Sequence, residues 1–300
     1  MIVPHLVLGT ARIAGGVSER AAVDLVKSAF DAGVCQVDTA PSYGMGTAEV
    51  VVGKALIGHP HVSVTTKLGS ARPGQPWLRT LLREFKRRSG TASLPEASFA
   101  PERIAAVSGN DFSAEAMARS LELSVERLGR IDLLLLHDVT AVEVTESLLG
   151  RLEALSLSVA AGAGYASFAQ FDPELDRLFP TGMSRQCAMV PGLLTSALPV
   201  PPAQNLRLHS VAKTGLALAA RDPSFATALE QAARLVPASD PLTARIAAIY
   251  ALAAVRIPGA QLLFTSSRTT RLKALTAALK AVDEGEQADE IAKLFPDQTG

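Results

Sequence analysis

Cysteine is almost missing from this chain of 300 residues: there are two, Cys35 and Cys187, each inside an apolar, strand-like run. They read as buried free thiols of a protein kept reduced, so the expected location is the cytoplasm; a disulfide between two interior strands is the weaker reading. Net charge is missing as well. The 29 Lys+Arg cancel the 29 Asp+Glu, so no field is set up to recruit nucleic acid or an anionic membrane, and neither is an expected partner. The opening Met1-Ile2-Val3-Pro4-His5 lacks the basic region and long apolar core of a signal peptide. No apolar run reaches membrane-span length without Gly, Pro or charge. There is no P-loop, no Cys/His zinc spacing and no serine elbow. His59 and His61 flank Pro60 without a third ligand in view, which reads as a surface loop and not a metal site. No repeat of fixed period and no low-complexity tract is visible.

What is present is alternation. Apolar residues make up 48% of the chain, enough for a large core. Eight strand candidates are read at Leu6–Gly9, Cys35–Asp38, Val62–Lys67, Ile131–Leu136, Ser158–Gly164, Arg185–Val190, Leu206–Ser210 and Gln261–Thr265. Helical patterns separate most of them: Glu19–Ala32 behind a Ser18 cap, a helix capped by Thr47, one opening at Ser113 and stopped by Gly129, then Val142–Leu155, Pro173–Leu178, Ser224–Leu235, Pro241–Val255 and Thr269–Val282. Asp240-Pro241 is a cap followed by proline at the first helical position. Alternating strands and helices predict a parallel sheet, and eight units in one chain predict closure into a single-domain (β/α)8 barrel over residues 1–300, with an open doubly wound sheet as runner-up. Gly162 to Ser167 is not a full dinucleotide fingerprint and comes late, which counts against a Rossmann domain. Residues 69–112 interrupt the rhythm with Pro73, Pro76, Pro95 and Pro101, and read as a long insertion. It holds a basic amphipathic piece, Trp77 to Arg88, read as a solvated helix face. Trp77, the sole tryptophan, either walls a ligand pocket, as a substrate-binding residue, or pins its loop.

Three strands end on chemistry. Asp38, Lys67 and His137 are each the last polar residue of an apolar run, and Tyr43 follows the second run by five residues. In a barrel these ends share one mouth. A phenol titrates near ~10, too high for an effective proton donor at neutral pH. A neighbouring ammonium is expected to lower that value, with a carboxylate holding the ammonium charged in a poorly solvated site. An imidazole can donate to a carbonyl oxygen and orient it. The set suits a tyrosine that protonates a carbonyl while a cofactor supplies hydride, which no side chain can donate.

The stretch Asp38-Thr39-Ala40-Pro41-Ser42-Tyr43-Gly44, followed by Ala48-Glu49 and Val52-Gly53, resembles the signature of the aldo-keto reductase superfamily; so do Thr66-Lys67 and Asp132-Leu133-Leu134-Leu135-Leu136-His137. The resemblance implies a (β/α)8 barrel that binds an extended nicotinamide cofactor without a Rossmann fold. It implies Tyr43 as general acid/base supported by Lys67 and Asp38, with His137 positioning the substrate carbonyl. It also implies cofactor contacts: Gln186 at the nicotinamide carboxamide, His209 and Ser210 near the ring, and Ser266, Arg268 and Arg271 at the adenosine phosphate. Several positions depart from the family pattern. Gly164-Tyr165 is read where Ser-Asn often clamps the carboxamide, His209 stands near a usual stacking aromatic, Thr265 replaces a phosphate-pairing lysine, and Ala274-Leu275 replaces an acidic-Asn pair. NADPH is favoured and NADH stays open.

The segment before Ser113, joined to Ser120 through Gly129, is similar to the branch containing aldose 1-dehydrogenases, which oxidise sugar lactols with NAD(P)⁺. The expected partner is therefore a small carbonyl compound or a sugar. A rival from another class is a weakly catalytic cofactor-binding or interaction protein on the same barrel; a further one is a lyase using Lys67 as a Schiff base. The sequence sets neither the substrate nor an oligomeric state.

Overall fold

Helix starts are fixed locally by side chains that satisfy the first free N–H groups. Ser18 accepts from Ala21 N at 3.3 Å, Ser113 from Ala116 N at 3.4 Å, Thr145 from Leu148 N at 3.1 Å and Asp240 from Thr243 N at 2.9 Å. Thr47 holds the expected cap position, but its hydroxyl donates backwards to Gly44 O at 2.7 Å and caps nothing. The computed structural model describes residues 1–13, 18–70, 110–195 and 205–295. Trp77, the rest of the basic piece and most of the expected insertion lie outside the described residues.

The strands are β1 (Leu6–Gly9), β2 (Gln36–Asp38), β3 (Ser63–Leu68), β4 (Leu133–His137), β5 (Gly162–Gln170), β6 (Ser184–Ala188), β7 (Leu206–His209) and β8 (Gln261–Phe264). They close into a parallel barrel in sequence order, with β8 returning to β1 in the register Leu6↔Leu262 to Leu8↔Phe264. This is the expected (β/α)8 fold. The helices around it are α1 (Glu19–Asp31), α2 (Ala48–Leu56), α3 (Ala114–Leu128), α4 (Glu146–Ser158), α5 (Pro173–Arg177), α6 (Pro191–Thr195), α7 (Val211–Ala219), α8 (Pro223–Leu235), α9 (Pro241–Arg256), α10 (Thr269–Glu284) and α11 (Ala288–Lys293). Among the described residues, no helix is long and apolar enough to cross a membrane. Both cysteines are free, but only Cys187 is buried; Cys35, just before β2, is half-buried.

One boundary matters for the site. The small apolar run from Ser158 does not start the fifth strand. Ser158 ends α4, and Ala160 turns the chain in the left-handed region at φ 54°. The strand begins at Gly162 and runs on to Gln170, so its C-terminal end lies beyond Tyr165.

Polar pins hold the strands in place. Glu49 on α2 is buried, and its Oε1 accepts from Thr66 Oγ1 at 2.9 Å and from Ser124 Oγ at 2.7 Å, tying α2 to β3 and α3. A buried carboxylate is tolerated only with such donors. Helix α2 approaches α3 closely: a Cβ built on Gly53 meets Arg127 O at 1.8 Å, so only glycine fits. Gly53→Ala is therefore expected to cost about 2–3 kcal/mol by overpacking, read as a lower urea midpoint; unchanged stability would show that the α2–α3 contact is not this tight.

Candidate active site

The barrel brings Asp38, Tyr43, Lys67 and His137 together at the C-terminal mouth. Asp38 ends β2, Lys67 stands one residue before the end of β3, and His137 ends β4. Tyr43 opens a one-turn 3₁₀ segment, Tyr43–Gly46, in which Gly44 and Met45 both adopt left-handed angles, so the loop reverses sharply straight after the phenol. Arg127 on α3 braces this turn by donating to Gly46 O at 3.3 Å.

Lys67 Nζ donates to Asp38 Oδ1 at 2.6 Å and to Thr39 O at 3.0 Å, with both charged side chains buried. Burial lowers the Lys67 pKa while Asp38 raises it back and Arg207 pushes it down again. The ammonium lies over the Tyr43 ring, 4.8 Å from its centroid. The sequence-based expectation of a depressed phenol pKa is corrected here. Burial pushes Tyr43 well above its ordinary value, and the charges of Asp38 and Asp138 push it further, so the phenol is held protonated.

His137 sits edge-on to Tyr43, ring centroids 5.5 Å apart at 84°. It is buried, and neither ring nitrogen has a hydrogen-bond partner among the described residues. Burial, with Lys67 adding to it, lowers its pKa to about 3, so the imidazole is neutral and keeps one N–H to donate. Its backbone is clamped: Asn110 Nδ2 donates to His137 O at 3.0 Å and Asp138 O at 3.1 Å. Asp138 takes φ 52° and accepts Phe168 N at 3.0 Å.

Across the mouth, Ala166 on β5 pairs with both His137 and Gln186. The expectation that puts Gly164-Tyr165 at the end of the fifth strand is corrected: those two pair with Leu135 and Leu136, short of the strand end, and Ala166 stands beside His137 instead. The error follows from the early boundary drawn for β5. From Ala166 to Gln170 the strand advances four residues against two on β6, and such a bulge re-aims side chains. Phe168 lies within it, half-exposed, its ring 5.5 Å from His137 and 6.4 Å from His209. His209 ends β7; Nδ1 is 3.0 Å from Ser210 Oγ and Nε2 3.0 Å from Ser167 O. Ser210 follows in the left-handed region at φ 62°. Ser266 Oγ accepts Arg268 N at 3.1 Å and donates to Arg268 O at 2.8 Å, and Arg268 and Arg271 are exposed at the start of α10. Arg207, Asn110 and Phe168 were not picked out in the sequence; only Arg207 carried a signal, as the one charge in Leu206-Arg207-Leu208.

With this geometry in view, residues 5–158 match the Aldo/keto reductase family. The chain belongs to the aldo/keto reductase family. A D-threo-aldose 1-dehydrogenase from Pseudomonas sp is 30% identical over 162 residues, covering 52% of this chain and 46% of that protein. The aldo-keto reductase YhdN of Bacillus subtilis (strain 168) is 43% identical over 42 residues, 14% of this chain and 13% of that one. The matched region thus spans less than half the length of these curated family members. Among solved structures, a glycerol dehydrogenase from Gluconobacter oxydans superposes with TM-score 0.63 at 18% identity, covering 99% of this chain and 94% of that one. An aldo/keto reductase from Klebsiella pneumoniae in complex with NADP and acetate superposes with TM-score 0.59 at 20% identity, covering 99% and 93%. These two share the family barrel.

The neutral His137 makes a stability prediction. Its proton affinity is low in the fold and returns to ~6.5 on unfolding, so its contribution is full above that value and is lost as pH falls toward about 3. Between those limits the melting temperature of the wild type is expected to fall more steeply than that of His137→Asn; parallel curves would show that His137 does not titrate this way.

Proposed function

We propose that this chain is a nicotinamide-dependent oxidoreductase that interconverts a carbonyl and an alcohol. The observation that carries the reading is one buried cluster: a charged Lys67–Asp38 pair behind a protonated Tyr43, beside a neutral His137 whose two nitrogens lack partners among the described residues. Tyr43 holds the proton that a reduced carbonyl must receive, and takes it back in the reverse direction. His137 donates its N–H to the carbonyl oxygen and fixes it near the phenol. Lys67, held by Asp38, supplies positive charge next to the oxygen that gains negative charge in the transition state. Lys67 commits two of its protons to Asp38 and Thr39, which weighs against a Schiff-base role.

The donor set fits a nicotinamide dinucleotide, which when bound supplies or accepts the hydride. Gln186 Oε1 is taken by Arg207, leaving its Nε2 to donate to a carboxamide. His209 and Ser210 stand at the adjoining strand end. Ser266 with the exposed Arg268 and Arg271 offers an anion site at the N-terminus of α10, where the helix dipole and guanidinium groups favour phosphate. Two arginines there support NADPH over NADH, as does the NADP held by the Klebsiella pneumoniae enzyme. Trp77 is proposed as a substrate wall on sequence position alone. A second reading, oxidation of a sugar lactol, draws on the match to the D-threo-aldose 1-dehydrogenase.

Two tests follow. Tyr43→Phe is expected to lower kcat for aldehyde reduction by at least ~10²-fold with NADPH affinity unchanged; full turnover would end the acid/base assignment. Arg268→Ala with Arg271→Ala is expected to weaken NADPH about tenfold and NADH far less, by titration of cofactor fluorescence; equal losses would remove the phosphate site from this turn.

A further inference from the structure

Arg207 is a buried cation that the reaction above does not use. It stands on β7 between Leu206 and Leu208 and is 3% exposed. Strand register puts it directly beside Gln186 of β6 and Gln261 of β8. It bonds to both: Nε donates to Gln186 Oε1 at 3.2 Å and Nη1 to Gln261 Oε1 at 2.6 Å. Its remaining nitrogen, Nη2, makes no hydrogen bond among the described residues and lies 3.8 Å from Asp38 Oδ2, which has none there either. Strands β2 and β7 are separated by β8 and β1 around the wall, so this contact crosses the barrel interior. A guanidinium so deep is tolerated only where its partners offset the lost hydration. Here those partners are one carboxylate and two amide oxygens.

We propose that Arg207 is a positioning residue that links the two halves of the site: anchored on the Asp38 oxygen that Lys67 leaves free, it turns the Gln186 amide so that Nε2 is presented to the cofactor carboxamide. The chemistry allows one orientation. A guanidinium only donates, and an amide accepts only through its oxygen, so the Gln186 oxygen must face Arg207 and its NH₂ must face away. With an apolar residue at 207, no other side-chain bond among the described residues would choose between the two amide orientations. Nor would anything but Lys67 hold the Asp38 carboxylate by charge, among the described residues. This inference rests on the nicotinamide reading above.

The test needs binding alone. Wild type, Arg207→Met, Gln186→Leu and the double variant are titrated with NADPH and with adenosine 2′,5′-bisphosphate, which keeps the adenosine phosphates and lacks the nicotinamide; NADH and ADP-ribose are run in parallel. Each single variant is expected to weaken the dinucleotide about tenfold, the double variant no more than either, and the nicotinamide-free ligands are expected to bind as to wild type. Equal losses for both kinds of ligand, or losses that multiply in the double variant, would overturn the proposal and leave Arg207 a packing residue. If Arg207→Met fails to fold, Arg207→Lys carries the same cycle, since it keeps charge near Asp38 and loses the Nε bond to Gln186. Wild-type dinucleotide affinity in Arg207→Lys would then overturn the proposal. A wild-type chain that binds neither dinucleotide overturns the nicotinamide reading itself, and this inference with it; tight wild-type binding left undisturbed in the variants overturns the role of Arg207 alone.

Discussion

The ion pair between Lys67 and Asp38, at 2.6 Å and out of contact with water, is the constraint around which the rest of the mouth is arranged. Two charges moved from water into a barrel interior lose several kcal/mol of hydration each, and the pair survives only with good geometry and added hydrogen bonds. The fold provides both. Parallel strands set Asp38 and Lys67 on neighbours β2 and β3, whose register pairs Asp38 with Thr65, and Thr39 O accepts a further bond from the ammonium. Outside the wall, Glu49 grips Thr66 and Ser124 and so holds the β3 backbone one residue before Lys67. Packing of the outer helices and placement of an inner charge are thus one problem.

Charge and proton are kept on different residues. Lys67, Asp38 and Arg207 carry the charge; Tyr43 and His137 stay neutral because burial makes ionisation costly. A protonated phenol and a neutral imidazole each keep a proton to donate, and neither adds a charge to the mouth. The backbone around His137 is fixed as well: the strand ends in a left-handed aspartate held by Phe168 N and the Asn110 amide. Such strain persists only where neighbours overdetermine it.

The fold was readable because each strand is an apolar run ending on a turn or a polar residue, and because serine and aspartate caps announce the helices. Asp38, Lys67 and His137 were readable for the same reason: each breaks an apolar pattern at a strand end. The β5 end was misread because Ala, Gly and Ser around residues 158–167 carry little periodic signal, and an α-helix end, a turn and a strand start look alike there. Asn110 was invisible because its partners are backbone carbonyls of His137 and Asp138, and no residue pattern reports those. Arg207 interrupts an apolar strand as Lys67 does, but it lies mid-strand, and its role depends on which strands face it across the barrel. The raised phenol pKa was missed because sequence gives the identity of Lys67 and Tyr43 but not the burial of the phenol or its closeness to Asp38 and Asp138.

The two ends of the long connection between β3 and α3 are pinned to the site. Gly69 O accepts Asp111 N at 2.8 Å, Ser70 Oγ meets Ser42 Oγ at 3.1 Å, and Asn110 holds the end of β4. The chain therefore leaves and re-enters the barrel through one closed gate, whatever lies between. Asn110 and Asp111 thus act as a latch: they tie the end of β3 to the end of β4 from outside the strand ladder, so the strands that carry Lys67 and His137 are held to each other at the mouth as well as within the wall.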